Sequence, residues 1–172
     1  MLDLRDHIAA VPDFPKPGIL YRDITPLLAH PQAFAQSVEQ MAEQLHQYRP
    51  EEILAIESRG FLFGSALAHR LGLPLQLGRK PGKLPRATQS ESYALEYGED
   101  RLEMHQDPLV PGRRFAVVDD LIATGGTAGA VCRLLTKAGA QVACCSFLIE
   151  LHGLEGRRQL AEHPVESLIV YD

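Results

Sequence analysis

Phe115–Thr127, FAVVDDLIATGGT, is the stretch that decides the fold. Its apolar run Phe115–Val118 reads as a buried strand of a parallel sheet. The run ends in two adjacent carboxylates, Asp119 and Asp120, followed by a Thr/Gly loop and a helix-forming segment, Ala128–Ala138. Ligands of open α/β sheets sit beyond the carboxyl ends of the strands, where this order places both acids. Glycines let backbone N–H groups approach an anion. The following helix points its positive end at the same place. Amides for a phosphate beside acids for vicinal hydroxyls describe a sugar-phosphate site.

Other phosphate loops do not fit. A P-loop needs G-x-x-x-x-G-K-[ST], whereas Thr127 and Ala128 follow Gly126 here. In dinucleotide folds the ribose-reading acid lies about 20 residues after the glycines; here the acids precede them. An isolated DD…GG reads equally as a Gly-rich turn capped by Thr124 or Thr127, with solvated acids. The whole string, however, resembles the signature with which type I phosphoribosyltransferases bind 5-phosphoribosyl 1-diphosphate (PRPP).

The surroundings suit such a site. With 172 residues the chain has one domain's worth of sequence. A net charge of −5 argues against a nucleic-acid surface. Met1–Ala10 lacks the apolar core of a signal peptide, and no apolar run approaches the ~18 residues of a membrane span. Cys132, Cys144 and Cys145 form no metal spacing and read as reduced, structural thiols of a cytoplasmic protein. Cys144 and Cys145, neighbours on one strand, point to opposite faces.

Working outward, Pro31–Tyr48 places Phe34, Val38, Met41, Leu45 and Tyr48 on one helical face. Ile53–Ile56 and Leu73–Leu77 are short strands around a helix, Phe61–Leu71, that Gly72 closes. Tyr93–Tyr97 and Leu102–Met104 form a hairpin around Gly98-Glu99-Asp100. Gly139 stops the helix after the motif, and Val142–Ile149 and Val165–Tyr171 are further strands. This alternation predicts an α/β fold with a central, mainly parallel sheet flanked by helices.

Four more stretches carry candidate chemistry. Gly78–Ser92 holds Arg79, Lys80, Lys83 and Arg86 among Gly and Pro. Alone it reads as a solvated basic loop; beside a phosphate site it reads as a lid. ESRGFLFG, Glu57–Gly64, offers Arg59 and the amides near Gly60 as a second anion site; alone it reads as a helix capped by Ser58. PGILYRDITPLL, Pro17–Leu28, is a turn, a short apolar segment and another turn, with Arg22 and Asp23 reading as an ordinary ion pair. ESYALEYG, Glu91–Gly98, puts Glu96 and Tyr97 on opposite sides of a strand.

Together these stretches resemble the adenine phosphoribosyltransferases of purine salvage over nearly the whole chain, as far as ELHGLEGRRQL at Glu150–Leu160. ESRGFLFG, RKPGKLP and SYALEYG select the adenine branch. The resemblance implies a type I phosphoribosyltransferase fold. It implies one domain over 1–172, with a small N-terminal hood and base-binding segment at 1–30 and a flexible lid and hairpin at 78–105. It implies the reaction of adenine with PRPP to give AMP and diphosphate. Mg²⁺ would be bound through PRPP oxygens rather than by the protein. Ala123, Thr124, Gly125, Gly126 and Thr127 would hold the 5′-phosphate, and Asp119 and Asp120 the ribose. Arg59, Arg79 and Lys83 would meet the diphosphate, Arg79 from a partner subunit. Leu20, Tyr21 and Arg22 would lie at adenine; Tyr21 stands where Phe is frequent, and both rings stack on a base. Tyr97 would sit on the lid with Glu96, the general acid/base. A homodimer in the cytoplasm, with neither nucleic acid nor membrane as partner, completes the expectation. The residues alone leave open another purine base (hypoxanthine, guanine or xanthine). A PRPP-sensing regulator would need a DNA-binding segment, and no helix-turn-helix is visible.

Overall fold

The computed structural model describes residues 1–94, 99–107 and 111–172, in two compact units, Met1–Gln40 and Met41–Asp172. Glu96, Tyr97 and Gly98 lie outside the described residues.

The first unit opens with a 3-10 turn, Leu4–His7, capped by Asp3, whose carboxylate accepts the Arg5 N–H at 2.9 Å. Strands β1 (Ala9–Pro12) and β2 (Leu20–Asp23) pair antiparallel, from Ala9↔Asp23 to Pro12↔Leu20. β1 escapes a periodicity reading because AAVP is short and mostly exposed. The expected second turn of PGILYRDITPLL is instead helix α1 (Thr25–Ala29), with Pro in its first turn. Asp23 starts it, accepting from the Thr25 N–H at 2.9 Å and hydroxyl at 2.7 Å. Helix α2 (Pro31–His46) follows, and the division between the units falls within it. Its Val38, Met41 and Leu45 are buried, the centre of the face that the 3–4 spacing predicts, while Phe34 is half-buried and Tyr48 lies past the helix end.

In the second unit β3 (Glu52–Ile56) leads into α3 (Gly60–Leu71), and β4 (Leu75–Gly78) follows. β5 (Thr88–Ala94) and β6 (Glu99–His105) are antiparallel. β7 (Arg114–Ile122), α4 (Gly126–Lys137), β8 (Gln141–Leu151), two 3-10 turns at His152–Leu154 and Gly156–Leu160, and β9 (Val165–Tyr171) complete the chain. The main sheet has five parallel strands in the order β4-β3-β7-β8-β9. Chain order runs outward in opposite directions from the β3/β7 boundary. That boundary is a topological switch point, where such sheets bind ligands.

Several boundaries differ from the expectation, and three of them bear on the site. β7 runs to Ile122, so the acids lie inside the strand; pairing with β8, as far as Ile122↔Glu150, carries it past the apolar run. The basic loop ends at Thr88, where β5 begins. Glu99 and Asp100 are strand residues of β6 rather than a turn. In the core, Leu54, Phe115, Val117 and Phe147 of the sheet meet Val131, Leu134 and Leu135 of α4. Tyr93, Leu102 and Met104 of the hairpin join them. Each such fully buried large apolar side chain contributes about 1.5–3 kcal/mol, which fixes the foot of the hairpin on α4.

Candidate active site

The turn after β3 supplies the first group of polar side chains. The Glu57–Ser58 peptide is cis. The helix cap is Arg59, not the expected Ser58, and no side chain bonds into the first turn of α3; the Ser58 carbonyl accepts the Phe61 N–H at 3.2 Å instead. This turn directs the Arg59 guanidinium to Asp120, with Nε 3.0 Å from Oδ2.

Asp120 is only 3% exposed, while Asp119 retains some surface. The Asp120 N–H donates to Asp119 Oδ1 at 2.8 Å, which fixes that carboxyl. Gly60 explains how close the two segments come. A β-carbon there would lie 2.8 Å from Asp119 Oδ1 and 2.9 Å from the Val118 carbonyl oxygen. Burial first, and then the Asp120 charge, pushes the Asp119 carboxyl well up; burial also raises Asp120, against the pull of Arg59. The pair therefore resists carrying two full negative charges, which suits hydroxyl-binding beside phosphates.

Ala123–Thr127 wraps a cavity of about 100 Å³ that Asp119, Leu121, Ile122, Ala128 and Phe147 complete. Gly125 is the cap of α4 at φ 79°, and no side chain bonds into that turn, so neither Thr124 nor Thr127 plays the capping role. A second cavity of about 190 Å³ is lined by Glu57, Ser58, Arg59, Lys80, Tyr93, Asp119, Asp120, Leu121 and Thr127. The two share Asp119, Leu121 and Thr127, forming one cleft with amides at one end and cations at the other.

The loop cations arrive paired. Arg79 donates to both Glu57 oxygens at 3.2 and 3.3 Å and to the Lys83 carbonyl at 3.2 Å. Burial alone would raise the Glu57 carboxyl, but the Lys80 N–H and then Arg79 outweigh it and hold it below its ordinary value. Lys80 Nζ bonds Asp100 and, at 3.0 Å, the Tyr93 hydroxyl. Lys83 is exposed and lines neither cavity. Sequence reading missed Glu57, Ser58, Lys80 and Tyr93 as lining residues. For Lys80 the basic loop was a signal; for Tyr93, a core residue at the hairpin foot, there was none. A larger cleft of about 490 Å³ between α4 and Arg158–His163 contains none of the motif residues.

Leu20, Tyr21 and Arg22 lie together on β2 of the first unit, where the Tyr21 ring meets Phe14 edge-on at 5.1 Å.

Comparison with known proteins bears directly on this cleft. Residues 25–168 match the phosphoribosyl transferase domain family. The chain is 53% identical to the adenine phosphoribosyltransferase of a Synechococcus species, over 99% of this chain and 100% of that protein. This chain belongs to the adenine phosphoribosyltransferase family. The crystal structure of the family member from Thermoanaerobacter pseudethanolicus superposes with a TM-score of 0.95 at 46% identity, over 98% of both chains. The Saccharomyces cerevisiae member gives 0.90 at 36% identity, over 96% of both chains. That yeast structure is a complex with D-2,5-dideoxy-2,5-imino-altritol 1,6-bisphosphate and adenine. The central parallel sheet flanked by helices is thus the type I phosphoribosyltransferase architecture.

Proposed function

We propose that the protein is a purine-salvage transferase that converts adenine and PRPP to AMP and diphosphate. The observation that carries this is the single cleft with an amide loop, two acids and a cationic end, in a chain more than half identical (53%) to an adenine phosphoribosyltransferase.

In this reading Ala123, Thr124, Gly125, Gly126 and Thr127 hold the 5′-phosphate through backbone N–H and hydroxyl donors. Asp119 and Asp120 accept from the ribose hydroxyls. Arg59 binds the diphosphate, joined by Arg79 and Lys83. Breaking the glycosidic C–O bond builds positive charge on the ribose ring and negative charge on the departing diphosphate. The cations therefore bind the transition state more tightly than the ground state, and losing one such donor costs about 2.7–4 kcal/mol of barrier. In the same reading, Asp119 and Asp120 fix the ribose and offset its ring charge. Glu96, outside the described residues, exchanges the proton at the purine ring, and Tyr97 belongs to the same lid that excludes water. Leu20, Tyr21 and Arg22 bind adenine.

Mg²⁺ fits as an ion that enters on PRPP. The buried carboxylate of the cleft, Asp120, already faces Arg59, which favours phosphoryl oxygens of PRPP as the ligands of the ion. When bound, the ion neutralises charge on the diphosphate oxygens. We further propose a homodimer, the assembly that the family resemblance implies. We place it in the cytoplasm, which suits three free, buried cysteines. Among the described residues no helix is long and apolar enough to cross a membrane.

The test is diphosphate release from PRPP with adenine, hypoxanthine, guanine or xanthine in turn. Adenine should be strongly preferred, because 6-amino and 6-oxo groups demand opposite hydrogen-bond patterns. Preference for any other base overturns the proposal.

A further inference from the structure

The phosphate loop does not stand alone. A β-carbon on Gly125 would lie 2.3 Å from the Gly156 carbonyl oxygen and 3.1 Å from the Gln159 Cβ. Conversely, a β-carbon on Gly156 would lie 2.3 Å from the Ala123 carbonyl oxygen and 2.8 Å from Ile122 Cγ1. The 3-10 turn Gly156–Leu160 is therefore the surface on which the loop is moulded, in backbone-to-backbone contact with no side chain between to absorb a shift.

What holds that turn is its own first-turn arginine. Arg157 donates Nε to Glu150 Oε1 and Nη2 to Glu150 Oε2, both at 2.7 Å, and Nη1 to the Val165 carbonyl at 2.7 Å. Glu150 is 4% exposed near the end of β8, and Val165 begins β9. One guanidinium thus ties the turn to two strands of the sheet. Leu160, 1% exposed in the core, pins its other end. Glu155, just before the turn, sits at φ 54°, a conformation that non-glycine residues hold only when their surroundings over-determine it.

We propose that Arg157, locked on Glu150, is a positioning residue that holds the Gly156–Leu160 turn against the phosphate loop and so sets affinity for the 5′-phosphate group. The inference rests on the proposed role of Ala123–Thr127. Losing or stretching one hydrogen bond to the charged phosphate costs about ten- to a hundredfold in affinity. The phosphate is bound alike in ground and transition states, so the loss falls on KM for PRPP rather than kcat.

Two variants test this. Arg157→Lys keeps a positive charge on Glu150 but loses the two-pronged fork. The double variant Glu150→Gln with Arg157→Gln removes both charges, so no buried carboxylate is left uncompensated. Calorimetric titration with AMP and, separately, adenine isolates the phosphate-bearing part of the ligand. We expect AMP affinity to fall about ten- to a hundredfold and KM for PRPP to rise in parallel, with adenine affinity and kcat unchanged. Wild-type AMP affinity in both variants overturns the positioning role and leaves the phosphate loop intact. Equal losses for AMP and adenine overturn it as well, by showing general loosening. A wild-type protein that binds AMP no better than adenine instead refutes the phosphate-loop reading itself.

Discussion

Replacing Gly125 with alanine tests the amide loop at its tightest point. The backbone there has φ 79°, and an L-residue in that left-handed region costs about 1–2 kcal/mol. The new methyl would sit 2.3 Å from the Gly156 carbonyl oxygen, where ordinary contact begins near 3.4 Å. The loop must therefore retreat by about 1 Å, enough to break a hydrogen bond to the phosphate, and losing one such bond to a charged group costs about 1.5–3 kcal/mol, about ten- to a hundredfold in binding. Dissociation constants for PRPP and AMP from calorimetry should rise at least that far. The backbone term should lower Tm by about 2–8 °C. Gly125→Val, bulkier and β-branched, should abolish PRPP binding. Gly153→Ala is the control, because nothing lies within 4 Å of a β-carbon there; it should behave as wild type. Gly125→Ala with unchanged PRPP affinity would refute the phosphate-loop assignment.

Glu96→Gln should lower kcat by about 10²–10⁴-fold with little change in PRPP affinity; wild-type turnover would remove Glu96 from the mechanism. Gly60→Ala drives a methyl against Asp119 and Val118 and should cost about 1–3 kcal/mol of stability, read from urea midpoints. Glu91 joins the hairpin to α4 through Lys137 at 2.5 Å and Arg133 at 2.9 Å, and its carboxyl is held low, by Lys137 foremost. Its contribution is therefore complete above the ordinary glutamate range and is lost as pH falls through the depressed folded value. Both cations are partly exposed, so Glu91→Gln should cost about 1 kcal/mol or less at neutral pH. The gap between the two urea midpoints should close in acid; a gap constant with pH would contradict the ion pair. Burial pushes the Cys144 thiol up to about 12, and the Cys132 contact, then burial, raises Cys145. A thiol reagent should find no fast-reacting cysteine in the native protein and all three after denaturation.

Local signals were legible in the sequence. Val165–Tyr171 is a strand end to end, Gly72 closes α3 in the left-handed conformation, and α2 buries the face its spacing marks. What escaped depends on contacts between distant residues. β7 outruns its apolar stretch because β8 continues alongside. Cys144 and Cys145 do face opposite ways: Cys145 joins the α4 core and lies 3.5 Å from Cys132, while Cys144 faces the charges of Glu166 and Arg114. In the cleft, Asp119, Asp120 and the Ala123–Thr127 loop follow from one contiguous motif. Glu57 as the partner of Arg79, and Gly156 as the support of Gly125, do not, since no local pattern links residues so far apart in the chain.

The pairing of cations in the cleft (Arg59 and Lys80) and beside it (Arg79) also bears on how the proposed site would meet ligands. Arg59 faces Asp120, Arg79 faces Glu57, and Lys80 faces Asp100. On the proposed reading, the resting cleft is an ion exchanger with its counter-ions built in. An incoming anion takes over cations that carboxylates already hold, and each capture sets a carboxylate loose. A lone monoanion gains little from such a trade, because the freed carboxylate replaces the charge it neutralised. A ligand with several phosphoryl oxygens held at fixed spacing gains at each exchange. Internal counter-ions thus make the cleft choosy among phosphates before any base is recognised.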